Sequence, residues 1–466
     1  MNAVCDMTCC RVAHGEWYAP RMSDLQDFIR QGQQDLSELV ALDSVSAQGR
    51  RLHETASFVT ALLEREGFTV RQYPGQFAPV LVAEAGEGPR TLLIYNHYDV
   101  QPEAPLELWD SPPFELTERD GRLYGRGASD DKGEFVSRLA GLRALRARHA
   151  GALPLRVKWL IEGEEEIGSP SLAEFVREHA AELQADGCWW EFGSIDPEGR
   201  PVLYAGLKGI VCVELRARVA DSDLHSSLGA VVDNPLYRLA RAVASLRDAN
   251  GRVTIPGFFD DVRAPSDADL DAIRRIPDES DATRAAYGIR GFLEGASGER
   301  FYQRLALEPV VNVNGFHGGY GDAGSKTVLP AEGFVKLDFR LVPDQDPARV
   351  VRLLRAYLDA QGLDDIEIVE LESHEHPSRS DLAHPFVQTA VETARDVYGK
   401  EPVLHPSSGG SGPMHPFVEY VGVPVIAMGI GNIGGRVHAP NENIRVEDFA
   451  NGVGFASEFF ERFSKV

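Results

Sequence analysis

One stretch constrains this chain more than any other: Val157-Lys-Trp-Leu-Ile-Glu-Gly-Glu-Glu-Glu-Ile-Gly-Ser169. The apolar run from Leu155 to Ile161 reads as a buried strand, and it breaks into four acids within five residues before the turn signal Gly168-Ser169. Strands of α/β sheets deliver ligand-binding groups at their carboxyl edge, in the loop beyond the last apolar residue. Neighbouring carboxylates repel one another there unless a cation holds them. A Glu-Glu-Glu on its own is ordinarily a solvated acidic turn. A second loop of the same kind argues against that here. Thr91-Leu-Leu-Ile-Tyr95 is another buried-type strand, and it runs into Asn96-His97-Tyr98-Asp99. An imidazole followed two residues later by a carboxylate, at a strand end, has the form of a metal ligand with its orienting acid.

Between these strands lie a proline-rich loop from Gln101 to Tyr124, the segment Gly125-Arg-Gly-Ala-Ser-Asp130-Asp131-Lys-Gly-Glu134, and a predicted helix from Lys132 to Arg148. Phe135, Leu139, Leu142 and Leu145 mark one face of that helix. Strand, helix and strand in this order form a βαβ unit, so the two strands run parallel and their loops open at the same edge. The glycines flanking Arg126 match neither Gly-x-Gly-x-x-Gly nor Gly-Lys-Ser/Thr, which excludes a nucleotide phosphate cradle. Asp131, taken alone, reads as a helix-start acid.

The character changes near Lys208-Gly209. Val211, Val213, Leu215, Ala217 and Val219 alternate with polar residues, as in a half-exposed antiparallel strand. A helix over 234–250 follows, then strands at 310–314, 333–342 and 365–371, with a helix over 347–361. The segment from Phe258 to Leu307 reads as a charged, helical insertion of no evident role. Parallel-type strands resume at Val423–Met428, before Gly429-Ile-Gly-Asn-Ile-Gly-Gly-Arg-Val-His438. The expected fold class is therefore α/β: a mostly parallel-sheet domain over 22–207 and 380–466, interrupted by a smaller α+β domain over 208–379.

Composition narrows the partners. A formal charge of −24 excludes a nucleic acid or an anionic membrane as partner, and no apolar run approaches a membrane span of about 20 residues. Five cysteines exclude a disulfide scaffold. Cys5, Cys9 and Cys10 fit no common zinc template, and residues 1–21 read as a disordered leader without a secretory signal. Cytoplasmic localisation follows.

The candidate ligands at the ends of the parallel-type strands are His97, Asp130, Glu165 or Glu166, Glu191 and His438. Two imidazoles and three carboxylates suit a pair of divalent metal ions, with one carboxylate shared between them.

Several motifs in order resemble the di-zinc exopeptidases and deacylases that include carboxypeptidase G, carnosinase, acetylornithine deacetylase and succinyl-diaminopimelate desuccinylase. They are His97-x-Asp99, Gly125-Arg-Gly-x-x-Asp130-Asp131-Lys-Gly133, Glu165-Glu166-Ile-Gly-Ser169, Asp223-Leu-His225-Ser and His438. The resemblance covers the chain from Met22 onward. Asn312-Val-Asn314-Gly, Lys326-Thr-Val-Leu-Pro330 and Arg340-Leu-Val-Pro343 are similar to the carnosinase-type dipeptidase branch.

The resemblance implies a zinc-exopeptidase-like catalytic domain with a lid that dimerises. It makes Asp130 the carboxylate bridging two Zn2+ ions (Mn2+ or Co2+ being alternatives), with a cis peptide after it. His97 and Glu191 complete one metal site, and Glu166 and His438 the other. Other members carry Asp where Glu191 stands. Glu165 is the general base that activates a metal-bridging hydroxide, and Asp99 orients His97. Glu164 is an extra acid whose register only the Gly-Ser anchor decides. From the lid of a partner subunit, His225 is implied to stabilise the oxyanion. Arg340 is implied to clamp a substrate carboxylate, with Asn314, Gly410 and Ser411 beside the substrate. The implied function is hydrolysis of an amide bond in dipeptides or short peptides. The alternatives are an N-acyl-amino-acid deacylase and, from another class, an inactive binding protein on the same fold.

Overall fold

The computed structural model describes residues 22–466; the leader and its three cysteines lie outside the described residues. Ten strands form the main sheet among them. Four parallel neighbours make its centre, in the order Arg156–Glu162, Thr91–His97, Gly187–Trp190 and Val425–Ala427. Their side chains are buried on both faces, which is why they read as unbroken apolar runs rather than alternating ones. The register sets His97 opposite Glu162, so the 91–97 and 156–162 strands end level and their loops emerge together. Antiparallel strands flank this centre: Thr69–Tyr73 and Val80–Ala85 on one side, Pro201–Tyr204 and Ser194–Ile195 on the other.

Helix Lys132–Arg148 packs against helices Met22–Val40 and Val446–Phe463. Gly141 permits the close approach, since a Cβ there would lie 2.4 Å from the Ala456 methyl and 2.9 Å from the Val453 carbonyl. The expected single apolar face understates the burial of this helix. Lys132, Glu134, Arg138 and Arg143 are buried as well. Each has a polar partner; Lys132 Nζ, for example, donates to the carbonyls of Leu39 (3.1 Å) and Leu42 (2.6 Å).

A second core belongs to a four-stranded antiparallel sheet in the order Val310–Gly318, Glu332–Leu341, Gly209–Arg218, Glu367–Glu375. The row Val211, Val213, Leu215 and Ala217 faces inward onto helices Pro235–Ser245 and Pro347–Ala360. Two residues depart from the expected alternation: Glu214 is buried and ion-paired to Arg216, and Val219 lies half-buried beyond the end of the strand.

The insertion holds three helices, Asp267–Arg275, Ser280–Ala286 and Gly298–Leu307. It turns back onto the main sheet: Ile273, Ile276, Tyr302, Ala306 and Leu307 pack with Val202 and Val403 from adjacent sheet strands.

Candidate metal centre

The carboxyl ends of the parallel strands bring the candidate ligands together. His97 closes its strand with 1% of its side chain exposed. Its Nδ1 lies 3.1 Å from the Asp99 carbonyl oxygen and 3.3 Å from Asp99 Oδ1, and its Nε2 lies 3.0 Å from Asp130 Oδ1 and 3.5 Å from Glu191 Oε2. The other Asp130 oxygen faces the second imidazole, Oδ2 to His438 Nε2, at 3.0 Å. Glu166 Oε2 stands 3.1 Å from the same nitrogen. One carboxylate thus lies between two imidazoles, with Glu191 flanking one and Glu166 the other.

The loops are held by partners of their own. Asp99 accepts the backbone N–H groups of Glu165 (3.2 Å) and Glu166 (3.0 Å), so the acid beside the His97 ring also fixes the turn carrying both glutamates. Glu164 points elsewhere: fully buried, it accepts the backbone N–H groups of Phe77 and Ala78. That separates Glu164 from Glu165 and Glu166 in the acidic run. The Asp130–Asp131 peptide is cis.

Sequence reasoning missed three groups. Glu442, buried, accepts the N–H groups of Gly127, Ser129 and Asp130 and pairs with Arg126 Nη1 at 2.7 Å, so one carboxylate shapes the loop that presents Asp130. Arg138 donates to the carbonyls of Tyr95 (3.1 Å) and Trp190 (3.0 Å), tying two parallel strands together at their carboxyl ends. Asp131 is the third. It starts the helix as read, but its carboxylate turns back to the His97 N–H (3.0 Å) and the Asn96 side chain (2.6 Å). Only its charge and position before a helix were visible in the sequence.

Burial alone would raise the Asp130 carboxyl, but the His438 and His97 rings hold it below the usual range. Hydrogen bonds to Asp130 and Glu166 push His438 up to about 10. Burial, with Asp130, Glu166 and Asp99 nearby, pushes Glu165 well above an ordinary carboxyl, and burial does the same for Glu191. Carboxylates crowded this closely call for cations. Glu191 Oε2 and Asp131 Oδ1 are buried and have no hydrogen-bond partner. Two groups of ligand atoms, His97 with Asp131 and Glu191, and Asp130 with Glu166 and His438, each fall within 4.8 Å. Mixed imidazole and carboxylate donors with unmet acceptor capacity fit divalent metal ions.

Asp130, Glu165, Glu191 and His438 line a cavity of about 350 Å³ whose wall also includes Gly410 and Ser411. Arg340 donates to Ser411 Oγ at 2.9 Å and to Asp338 at 3.2 Å. It lines a larger cavity of about 670 Å³ together with Gly409. His225 and Asn314 line neither the metal-side cavity nor the cavity that includes Arg340. His225 is exposed, on a short strand pairing opposite Val328. Asn314 is exposed on the outer strand of the four-stranded sheet, where it accepts from Asn312.

Residues 93–462 match the model described as "Peptidase family M20/M25/M40". The chain belongs to this family. Among its curated relatives is the human Beta-Ala-His dipeptidase, 27% identical, the alignment covering 92% of this chain and 89% of the relative. The Cys-Gly metallodipeptidase DUG1 of Saccharomyces cerevisiae is 26% identical, with 92% and 94% covered. The M20 family metallo-carboxypeptidase Sso-CP2 from Sulfolobus solfataricus superposes with a TM-score of 0.87 at 37% identity, covering 94% of this chain and all of that one. Among the described residues no helix of this M20 family chain is long and apolar enough to cross a membrane.

Proposed function

We propose that this M20 family chain is a metal-dependent dipeptidase. The observation that carries the reading is Asp130 set between His97 and His438, with Glu165 in the same cavity wall. His97, Asp130 and Glu191 would hold one divalent ion, and Asp130, Glu166 and His438 the second; zinc suits this donor mixture. Such ions, when bound, supply Lewis acidity and lower the pKa of water at the site. Asp99 fixes the tautomer and plane of His97. Glu165 takes the proton of the attacking water on its carboxylate and passes it to the leaving amine nitrogen. Its place in the cavity wall beside Asp130 and Glu191 puts it within reach of that double duty.

Arg340, braced by Ser411 and Asp338, receives the substrate carboxylate through its planar guanidinium, and the backbone at Gly410 lies alongside. His225 and Asn314 act from the lid of a second subunit, so the working unit is a homodimer, with His225 donating to the developing oxyanion. Support for this is their exposure on the lid, apart from the metal-side cavity of their own chain. Curated relatives named as dipeptidases support peptides over N-acyl amino acids. The cytoplasm is proposed as the compartment from the composition.

Assays on dipeptides and N-acyl amino acids, with and without a chelator, test the reading. Dipeptide cleavage abolished by chelation and restored by zinc is expected. Turnover of N-acyl amino acids alone would move the assignment to a deacylase, and chelator-resistant activity would remove the metals from the mechanism.

A further inference from the structure

The insertion that the sequence left without a role builds a cavity against the metal site. This space, about 300 Å³, shares Ser194 and Asn432 with the metal-side cavity. Its sheet wall is Val202 and Tyr204 with Val403 and His405, neighbours in a parallel register. Its roof comes from the insertion, through Ile276, Pro277 and Tyr302. The three rings form a lining: His405 stacks on Tyr204 with centroids 4.9 Å apart and meets Tyr302 edge-on at 5.9 Å. Burial pushes the His405 imidazole down to about 4, so this ring is neutral.

Charge decides what the space suits. Asp196 and Glu279 reach its rim, but both face Arg200, whose guanidinium also holds Glu198. A cation already occupies the acidic corner, so these carboxylates make neither a metal site nor an ammonium trap. The remaining walls are aromatic and aliphatic, and Asn432 Nδ2 is a buried donor without a partner. The order along the chain fixes the orientation. Tyr204 and His405 wall this space, Leu207 and Ser408 wall the metal-side cavity, and Lys208 and Gly409 wall the cavity that includes Arg340.

We propose that this cavity is the acyl-side subsite, taking the side chain of the residue N-terminal to the scissile bond and selecting bulky, uncharged, above all aromatic, side chains. The assignment rests on the dipeptidase reading, with the carboxylate on Arg340. A substrate spanning the metal-side cavity from Arg340 then projects its other end past Ser194 and Asn432. The insertion becomes a specificity element, and Tyr302 and Ile276 its contact residues.

The test compares Phe-Ala with Gly-Ala on the metal-loaded enzyme. A phenyl ring entering an apolar pocket raises kcat/KM by roughly tenfold to a hundredfold over no side chain. Ile276→Trp fills the roof. Ile433→Trp narrows the rim from a position that is 86% exposed, where folding is not at stake. Both variants are expected to lower the Phe-Ala to Gly-Ala ratio about tenfold or more. A wild-type enzyme that prefers Gly-Ala, or an Ile433→Trp ratio within about twofold of wild type, overturns the assignment. Calorimetry on metal-loaded Glu165→Gln reads binding without turnover, and tighter binding of Phe-Ala is expected. If wild type cleaves neither dipeptide, the dipeptidase reading falls, and calorimetry still decides the subsite. Equal or undetectable binding of the two dipeptides overturns the subsite as well.

Discussion

His97 and His225 show two settings for an imidazole proposed to act. His97 is buried, with both ring nitrogens next to carboxylates, and Asp99 beside it also fixes the Glu165–Glu166 turn. His225 stands exposed on a two-residue strand pairing, its Nδ1 taken by Ser227 at 2.9 Å. The first is pre-organised by its own chain. The second is oriented locally but has no reacting centre beside it. Under the proposed function, a rigid half holds the metal ions and a second half is delivered by another body. The same contrast separates the candidate substrate residues: Arg340 is braced by Ser411 and Asp338, while Asn314 lies on an outer strand.

The comparison breaks most sharply at Glu165. Glu165→Ala should lower turnover by roughly a hundredfold or more, while metal analysis finds the wild-type content, because the base is not among the proposed ligands. Near-normal turnover with normal metal would place the base elsewhere in the rigid half.

Of similar size is the effect of His225→Ala, with an expected loss near the roughly 3 kcal/mol of an oxyanion donor. Mixing an excess of this variant with Glu165→Ala should restore one working site per mixed dimer, although each parent is nearly inactive. Failure to recover activity, with subunit exchange shown independently, would confine His225 to its own subunit or to no role.

Glu442→Gln sharpens the rigid side. The amide cannot accept both pairs of bonds that shape the Asp130 loop, so metal affinity should fall about ten- to a hundredfold. Titration with a competing chelator reads this out; unchanged affinity would mean that the loop holds its form without the carboxylate.

The smallest effect is in the metal-free protein. His438 is raised to about 10 by Asp130 and Glu166. Its contribution to stability is therefore complete below the ordinary histidine value of about 6.5 and is lost as pH rises through about 10. The ring is 53% exposed, so solvent screens much of the gain. A decline of the metal-free Tm by about a degree or two between neutral pH and pH 10 is expected, and His438→Ala should flatten it. An unchanged slope in that variant would show that other groups carry the dependence.

Local pattern determined a great deal. Unbroken apolar runs ending in His97 and in the Glu164–Glu166 acids specified parallel strands and the edge where chemistry gathers, because a strand buried on both faces leaves only its end for polar groups. The periodicity from Lys132 to Arg148 specified a helix with the observed bounds. Tertiary structure alone decided which acid does what. Glu164 and Glu165 are adjacent and chemically identical, yet one anchors the backbone at Phe77 and Ala78 while the other faces the metal-side cavity. Glu442 and Arg138 carry no local mark, since their partners lie far along the chain. The insertion was illegible for the same reason: its apolar residues bury against Val202 and Val403, and a pattern records that a face is apolar but not what it meets.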